Sequence, residues 1–154
     1  LDPDELTRRS GAADLERLMA VNVIGLILCC REAARRMPES GGAIVNISSM
    51  AATIGGRAGA SAYAASKAAV DSFTTGFAKE VGKRRIRVNA VRPGLILTDI
   101  HAASGEPGRA ERLAPQVPVG RPGTAEEVAE TVVWLMSEKS SYVNGALLDV
   151  SGGR

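Results

Sequence analysis

One tyrosine and one lysine of this chain stand where their side chains could exchange a proton with a substrate. Tyr63 and Lys67 lie in a run of small residues, SAYAASKAAV, that covers positions 61–70. On a helix, residues four apart share one face, so the phenol and the ammonium would be neighbours. A phenol titrates at about pH 10, and a nearby cation favours its phenolate form. Such a tyrosine suits carbonyl reduction or alcohol oxidation, in which a proton moves at oxygen while a hydride moves at carbon.

The same spacing also occurs on helices that do no chemistry. The competing interpretation is a partly buried tyrosine beside a lysine whose stem lies along the surface. Ser48 and Ser49 favour the chemical interpretation, because they follow a buried apolar segment, at the edge where open α/β sheets bind ligands. Ser49 precedes Tyr63 by 14 residues, and the loop between them could fold the serine hydroxyl back beside the phenol.

Hydrophobic periodicity places these residues in alternating helices and strands. Apolar residues at steps of three and four predict helices over 14–37 and 61–81. Thr124, followed by Glu126 and Glu127, predicts a third helix that ends near 136. Apolar runs predict strands over 43–47, 86–91 and 146–150, whereas 48–60 and 95–119 are predicted to be irregular, apart from a short helix near 109–113. This alternation predicts an α/β fold with a parallel sheet.

Composition and motifs exclude several other classes of protein. A net charge of +2 is too small for a nucleic-acid partner, and no apolar run is long enough to cross a membrane. The adjacent Cys29 and Cys30 are predicted to be buried, reduced thiols of a cytoplasmic protein. His101 is the single histidine and has no ligand spacing around it, so no metal site is expected. A Ser-x-x-Lys hydrolase would need serine at Ala64, and no nucleophile elbow occurs.

Together with four further segments, the Tyr63–Lys67 pair resembles the short-chain dehydrogenase/reductase family. "YAASK" matches the family's Tyr-x-x-x-Lys motif, and "GGAIVNISSMA" resembles the strand that delivers its active-site serine. "MAVNVIGLILCCREA" resembles the helix with the active-site asparagine, and "IRVNAVRPGLILTD" resembles the strand and Pro-Gly loop beside the nicotinamide. "VNGALLDVSGG" resembles the closing strand and tail. One such motif is weak, but five in the family's order are specific.

The resemblance implies a role for each matching residue. Tyr63 would be the general acid/base at the substrate oxygen, and Lys67 would assist the phenol and hold the hydroxyls of the nicotinamide ribose. Ser49 would orient the substrate carbonyl or hydroxyl. Asn22 would support a water in a proton relay behind the lysine, and its alternative is an asparagine that satisfies a helix kink. The nicotinamide of NAD or NADP would be lined by Tyr63, Lys67, Pro93, Gly94, Ile96 and Thr98.

The resemblance also defines what the sequence lacks. The family's Thr-Gly-x-x-x-Gly-x-Gly phosphate turn and its Asn-Asn-Ala-Gly strand do not occur among the 154 residues. We therefore expect residues 1–154 to form the C-terminal portion of a Rossmann-like domain, with about three strands and no diphosphate site. The first strand would be an unpaired edge. The choice between NAD and NADP is not encoded in the residues present.

Two functions are consistent with these motifs. The first is an NAD(P)-dependent oxidoreductase that interconverts a secondary alcohol and a ketone, with residues 95–119 as the substrate lid. His101 would be a substrate contact in that lid or simply an exposed histidine. The second is a truncated, non-catalytic oligomerisation module. In either case the open edge predicts an oligomer, and the resemblance implies a homodimer or homotetramer in which the helices of Asn22 and Tyr63 form the dimer face.

Overall fold

The computed structural model describes residues 11–99 and 107–154. Its helices are α1 (Ala12–Met19), α2 (Leu26–Arg36), α3 (Ala51–Ile54), α4 (Ser61–Val81), α5 (Arg109–Leu113) and α6 (Ala125–Met136). A π-helical turn, Ala20–Gly25, joins α1 to α2, and 3-10 turns occupy Gly82–Arg84, Ala114–Gln116 and Glu138–Ser140. The strands are β1 (Gly42–Ile47), β2 (Ile86–Pro93) and β3 (Leu147–Val150).

The described strands form one parallel sheet in the order β1-β2-β3. Ile47 pairs with Val91, and Ala90 pairs with Leu147, so the carboxyl ends of all three strands reach the same edge. Parallel neighbours need crossover connections, and α4 and α6 supply them. The α/β class predicted from the sequence is confirmed. Within the part of the chain that the structure describes, β1 is also the open edge that the sequence predicted.

Helices cover both faces of the sheet. Alternate residues of a strand face opposite sides, and β2 shows this directly. Arg92 contacts Asp71 on α4, whereas Arg87 donates to the Leu135 carbonyl at the end of α6 at 2.9 Å. The α4 face carries the main core cluster, composed of Cys30, Ala34, Phe77, Ala78, Val81, Ile86 and Val88. This packing fixes the direction of α4 relative to the sheet.

Helix α6 begins after Thr124, as the sequence predicted, and its first turn forms a capping box. The Thr124 hydroxyl accepts a hydrogen bond from the Glu127 amide at 3.3 Å, and the Glu127 carboxylate accepts one from the Thr124 amide at 2.9 Å. These bonds satisfy donors that the first helical turn leaves without partners. At the other end Arg87 binds the carbonyl oxygens of Leu135 and Ser137. A cation suits this negative pole of the helix dipole.

Four details differ from the sequence predictions. The single helix predicted over 14–37 is two α-helices joined by the π-helical turn, in which Asn22 bonds to a distant helix. The loop predicted over 48–60 contains the short α3, which is too brief to show a period. The strands differ from their predicted limits by one or two residues, as hydrogen-bond criteria commonly produce. Cys30 is buried as predicted, but Cys29 is exposed because it lies on the outer face of α2.

Two kinds of feature are absent from the described ranges. None of the helices described there is both long and apolar enough to cross a membrane. No cluster of three or more metal-ligating side chains occurs among residues 11–99 and 107–154.

Candidate active site

A cavity of about 780 Å³ opens at the carboxyl edge of the sheet. It lies where β1 and β2 end and the first turns of α4 begin, which is the position at which open parallel sheets bind ligands. Seven of the eight site residues predicted from the sequence line it, namely Ser49, Tyr63, Lys67, Pro93, Gly94, Ile96 and Thr98. The fold therefore brings together residues that are up to 49 positions apart, from Ser49 to Thr98.

Helix α4 presents Tyr63 and Lys67 to this cavity on one face. The ammonium nitrogen of Lys67 lies 5.8 Å from the centroid of the Tyr63 ring. The same nitrogen donates a hydrogen bond of 2.9 Å to the carbonyl oxygen of Ile47, the last residue of β1. This bond holds the lysine beside the phenol rather than in open solvent. The helical spacing that suggested the pair in the sequence is thus realised as a contact.

Burial and a neighbouring carboxylate act on Lys67 in opposite directions. Burial lowers the pKa of the Lys67 ammonium below its ordinary value, because the charged form loses hydration. The negative charge of Asp71, one helical turn further along α4, raises this pKa and offsets part of that effect. The net direction is downward. Lys67 is therefore a cation that a local carboxylate helps to keep charged.

The two serines that follow β1 have different environments. Ser48 is buried, and its hydroxyl donates to the backbone carbonyl of Lys67 at 3.2 Å, which fastens β1 to α4. Ser49 lines the cavity, and its oxygen accepts a hydrogen bond from the Ala51 amide at 3.1 Å. Since that bond uses the oxygen as acceptor, the Ser49 hydroxyl proton stays available for a ligand oxygen. The Ser49 side chain can therefore donate into the cavity.

Asn22 lies behind the cavity rather than in its wall. Its side-chain amide donates to the Ser66 hydroxyl at 3.1 Å, and Ser66 in turn donates to the Tyr63 carbonyl at 2.7 Å. Asn22 belongs to the π-helical turn, a distortion that often accompanies functional sites. Its bond crosses to α4, so the asparagine connects two helices instead of capping its own. The water relay predicted for it stays a prediction.

The segment after β2 forms the far wall of the cavity. The Gly94 amide donates to the Val150 carbonyl at 3.0 Å, and a side chain at Gly94 would meet the Ser151 Cα at 2.7 Å. Only glycine fits so close to the C-terminal backbone. Ile96 forms a bridge with Gly123, and Thr98 is exposed at the mouth of the cavity. The segment is therefore held against the C-terminal backbone at Gly94 and exposed to solvent at Thr98.

The predicted lid is only partly described. His101 lies outside the described residues, so its role in the lid stays a prediction. In the rest of the segment, Leu95, Ala110 and Val117 pack together as a small buried cluster, with Leu113 against it. Arg109 of α5 also lines the cavity.

One pair of charged residues next to the site was not predicted from the sequence. The Asp71 carboxylate accepts a hydrogen bond from Arg92 at 2.9 Å, and both side chains are largely buried. Asp71 follows Lys67 by one helical turn, and Arg92 directly precedes Pro93. The four-residue spacing from Lys67 was the available signal for Asp71. No sequence signal indicated Arg92 as the partner, because that contact depends on how α4 packs against the sheet.

Comparison with known proteins yields one family. A family model described as "Enoyl-(Acyl carrier protein) reductase" matches residues 5–154. The Escherichia coli K12 protein "Uncharacterized oxidoreductase YgfF" is 50% identical over 147 residues, which are 93% of this chain and 60% of that protein. Carbonyl reductase family member 4 of Danio rerio is 42% identical over 153 residues, 99% of this chain and 62% of that protein.

Solved structures give the same result. A Serratia marcescens short-chain dehydrogenase/reductase mutant superposes with a TM-score of 0.85 at 36% identity, covering 96% of this chain and 59% of that one. A blue fluorescent protein from a metagenomic library, solved with NADPH, superposes with a TM-score of 0.83 at 37% identity, covering 94% and 57%. The chain thus spans about 60% of the length of the curated relatives it matches. From its sequence, its sheet and these relatives, the chain belongs to the short-chain dehydrogenase/reductase family.

Proposed function

We propose that this chain carries the catalytic residues of an NAD(P)-dependent oxidoreductase that interconverts a secondary alcohol and a ketone. The observation that carries the proposal is the grouping of Tyr63, Lys67 and Ser49 in one cavity at the carboxyl edge of the sheet. A phenol, a cation and a hydroxyl donor together can transfer a proton at a carbonyl oxygen and stabilise the charge that develops there. We further propose that residues 1–154 act as one partial domain, with 95–119 as its substrate lid.

In the proposed mechanism, Tyr63 handles the proton at the substrate oxygen. For reduction, the Tyr63 hydroxyl gives its proton to the carbonyl oxygen, and for oxidation the phenolate takes the proton from the alcohol. The Ser49 hydroxyl donates a hydrogen bond to the same oxygen and so sets the carbonyl plane. The Lys67 ammonium, held by the Ile47 carbonyl, stabilises the negative charge on the phenol oxygen through its proximity. A bound nicotinamide coenzyme would supply or accept the hydride at carbon.

The residues present fit the nicotinamide end of such a coenzyme. An ammonium has three donors, and among the described contacts Lys67 uses one of them on Ile47, so two remain for ribose hydroxyls. Pro93, Gly94 and Ile96 offer a mostly apolar wall, and Thr98 adds a hydroxyl at the mouth. Nothing in the sequence resembles the family's glycine-rich turn for the diphosphate. The chain's own contacts would therefore be limited to this end.

The names of the relatives support a small carbonyl compound as the substrate. They include carbonyl reductases and a Salmonella typhimurium acetoin dehydrogenase, whose structure superposes with a TM-score of 0.81 at 38% identity. We propose a ketone of this class, which an open and partly apolar cavity of about 780 Å³ can accommodate.

Calorimetric titration of the 154-residue chain with NADH and with NADPH is the first test. We expect heat with at least one of them, followed by turnover of small ketones measured at the absorbance of the reduced coenzyme. A folded sample that binds neither coenzyme and reduces no ketone would contradict the proposal for this chain.

A second candidate function is the oligomerisation module without catalysis. The observation in its favour is a row of exposed apolar side chains along α1, the π-helical turn and α2, including Val21, Ile24 and Leu28. Exposed apolar surface of this kind commonly marks an interface. Sedimentation analysis that finds a stable oligomer, in a sample that binds no coenzyme, would favour this candidate over the oxidoreductase.

A further inference from the structure

Asp71 is a buried carboxylate on α4, the helix that carries Tyr63 and Lys67. Only 7% of the residue is exposed, although aspartate is rarely buried unless it is paired. It follows Lys67 by one turn of α4, as Lys67 follows Tyr63, so the three side chains lie along one face. Burial of a carboxylate costs free energy, so Asp71 must be compensated by partners in the folded chain.

One carboxylate oxygen of Asp71 binds the strand that leads into the site. Its Oδ2 accepts a hydrogen bond from Nε of Arg92 at 2.9 Å, and Nη1 of Arg92 also contacts Oδ1 of Asp149 at 3.4 Å. The interaction thus joins α4, β2 and β3. Arg92 is followed directly by Pro93 and Gly94, which line the cavity. A shift of this ion pair would therefore move α4 relative to the wall that faces Tyr63.

The other carboxylate oxygen has no such bond. Oδ1 of Asp71 is buried and makes no hydrogen bond with any residue that the structure describes. The bridge to Arg92 therefore uses one of the two carboxylate oxygens, and the charge of Asp71 also acts on Lys67. The charged groups that face Asp71 are Lys67 on its own helix, Arg92 on β2 and, through Arg92, Asp149 on β3.

We propose that Asp71 is a positioning residue for the Tyr63–Lys67 pair. Through Arg92 it fixes the first half of α4 against the carboxyl end of β2, and through its charge it keeps the Lys67 ammonium in place beside the phenol. The expected effect of Asp71 on catalysis rests on the proposed function, whereas its expected effect on the Lys67 ammonium does not. Asp71 acts through Lys67 and does not itself line the cavity.

The proposal predicts opposite effects for the two members of the ion pair. In Asp71→Asn the attraction on Lys67 is lost, while the repulsion of Arg92 remains, so the pKa of Lys67 falls. In Arg92→Gln the carboxylate is no longer neutralised, so the pKa of Lys67 rises. A merely structural salt bridge would lower the stability in both variants without this reversal of sign.

NMR titration of lysine side chains in the 154-residue chain measures both effects. The chain has four lysines, and a Lys67→Arg variant assigns the relevant resonance. Glu32→Gln is the matched control, because it removes an exposed ion pair with Arg36, at 3.1 Å, far along α2. We expect the Lys67 midpoint to move to lower pH in Asp71→Asn, to higher pH in Arg92→Gln and not at all in the control.

An unchanged Lys67 midpoint in both variants, or a shift in the same direction in both, would overturn the proposal. If one variant fails to fold, the sign found in the other decides. Where the chain turns over a ketone, Asp71→Asn should lower kcat about tenfold with little change in KM. The NMR readout needs no coenzyme, so a chain that fails the coenzyme titration but shows the reversed shifts would contradict only the proposed function.

Discussion

Tyr63 carries the proton chemistry of the proposed reaction, and at the scale of single residues it gives the most direct test. Tyr63→Phe keeps the ring in the cavity but removes the hydroxyl, so kcat for ketone reduction should fall by about 10²–10⁴-fold with KM little changed. Steady-state kinetics would measure this. Tyr142→Phe is the matched control, since Tyr142 is fully exposed and is the chain's other tyrosine. Equal activity in Tyr63→Phe and wild type would remove Tyr63 from the mechanism.

The activity at alkaline pH should follow the protonation state of Lys67. Burial lowers the pKa of Lys67, and only the protonated form stabilises the phenolate. The kcat should therefore fall as the pH rises through this lowered pKa, at a pH below that of an ordinary lysine.

Arginine stays charged, so the alkaline limb in Lys67→Arg should move to higher pH, even if the maximal rate is lower. A pH–rate profile between neutral and strongly alkaline pH would show it. An identical alkaline limb in both proteins would mean that another group controls it.

Single residues were also where the sequence was most informative. Tyr63, Lys67 and Ser49 could be chosen because their types and spacing suit one reaction, and the cavity groups them as predicted. Asn22 was chosen as well, but its partner Ser66 is 44 positions away and no local pattern indicates it. The same holds for the exposed position of Cys29, which depends on the way α2 packs.

At the scale of elements, the start of α6 provides a test of stability. The pKa of the Glu127 carboxyl is lowered to about 2, mainly by the hydrogen bond from the Arg121 guanidinium and secondly by the one from the Thr124 amide. A carboxyl whose pKa is lower in the folded state stabilises the fold at pH values above its ordinary pKa. This stabilisation is lost as the pH falls toward the lowered pKa of about 2. Glu127→Gln should therefore lower Tm by a few degrees near neutral pH, and the difference should vanish in acid.

Thermal unfolding at several pH values would check this prediction. Glu130→Gln on the same helix serves as the control for the loss of one surface carboxylate. If Glu127→Gln lowered Tm equally at all pH values, the charge of Glu127 would not be the cause.

At the scale of the whole molecule, β1 has one side that pairs with no other strand among the residues that the structure describes. The Gly42 amide donates to the carbonyl of Arg85, directly before β2, and the Ser48 amide donates to a β2 carbonyl. Because successive amides of a strand point to opposite sides, the amides of Ala43, Val45 and Ile47 point away from β2. These three amides should exchange hydrogen rapidly in a dilute sample of the chain, whereas those of β2 should be protected. Hydrogen exchange followed by NMR would measure it.

The same measurement bears on oligomerisation. If a second copy pairs with β1, protection of the outward amides should appear as the protein concentration rises. Slow exchange of these amides at every concentration would contradict an open edge.

The sequence by itself determined most of the segments that form helices and strands, that the sheet is parallel and which residue types suit carbonyl chemistry. These features depend on local periodicity, capping and spacing within a few turns, as the Thr124 capping box and the Tyr63–Lys67 pair illustrate. The tertiary structure decided which distant residues meet. The packing of α4 on β2 brings Asp71 to Arg92 across 21 positions. The register of β1 with β2 places Ser49 and Pro93 on one cavity. Such contacts arise only when the elements pack together, because side-chain direction and burial are set by neighbours that are remote along the chain.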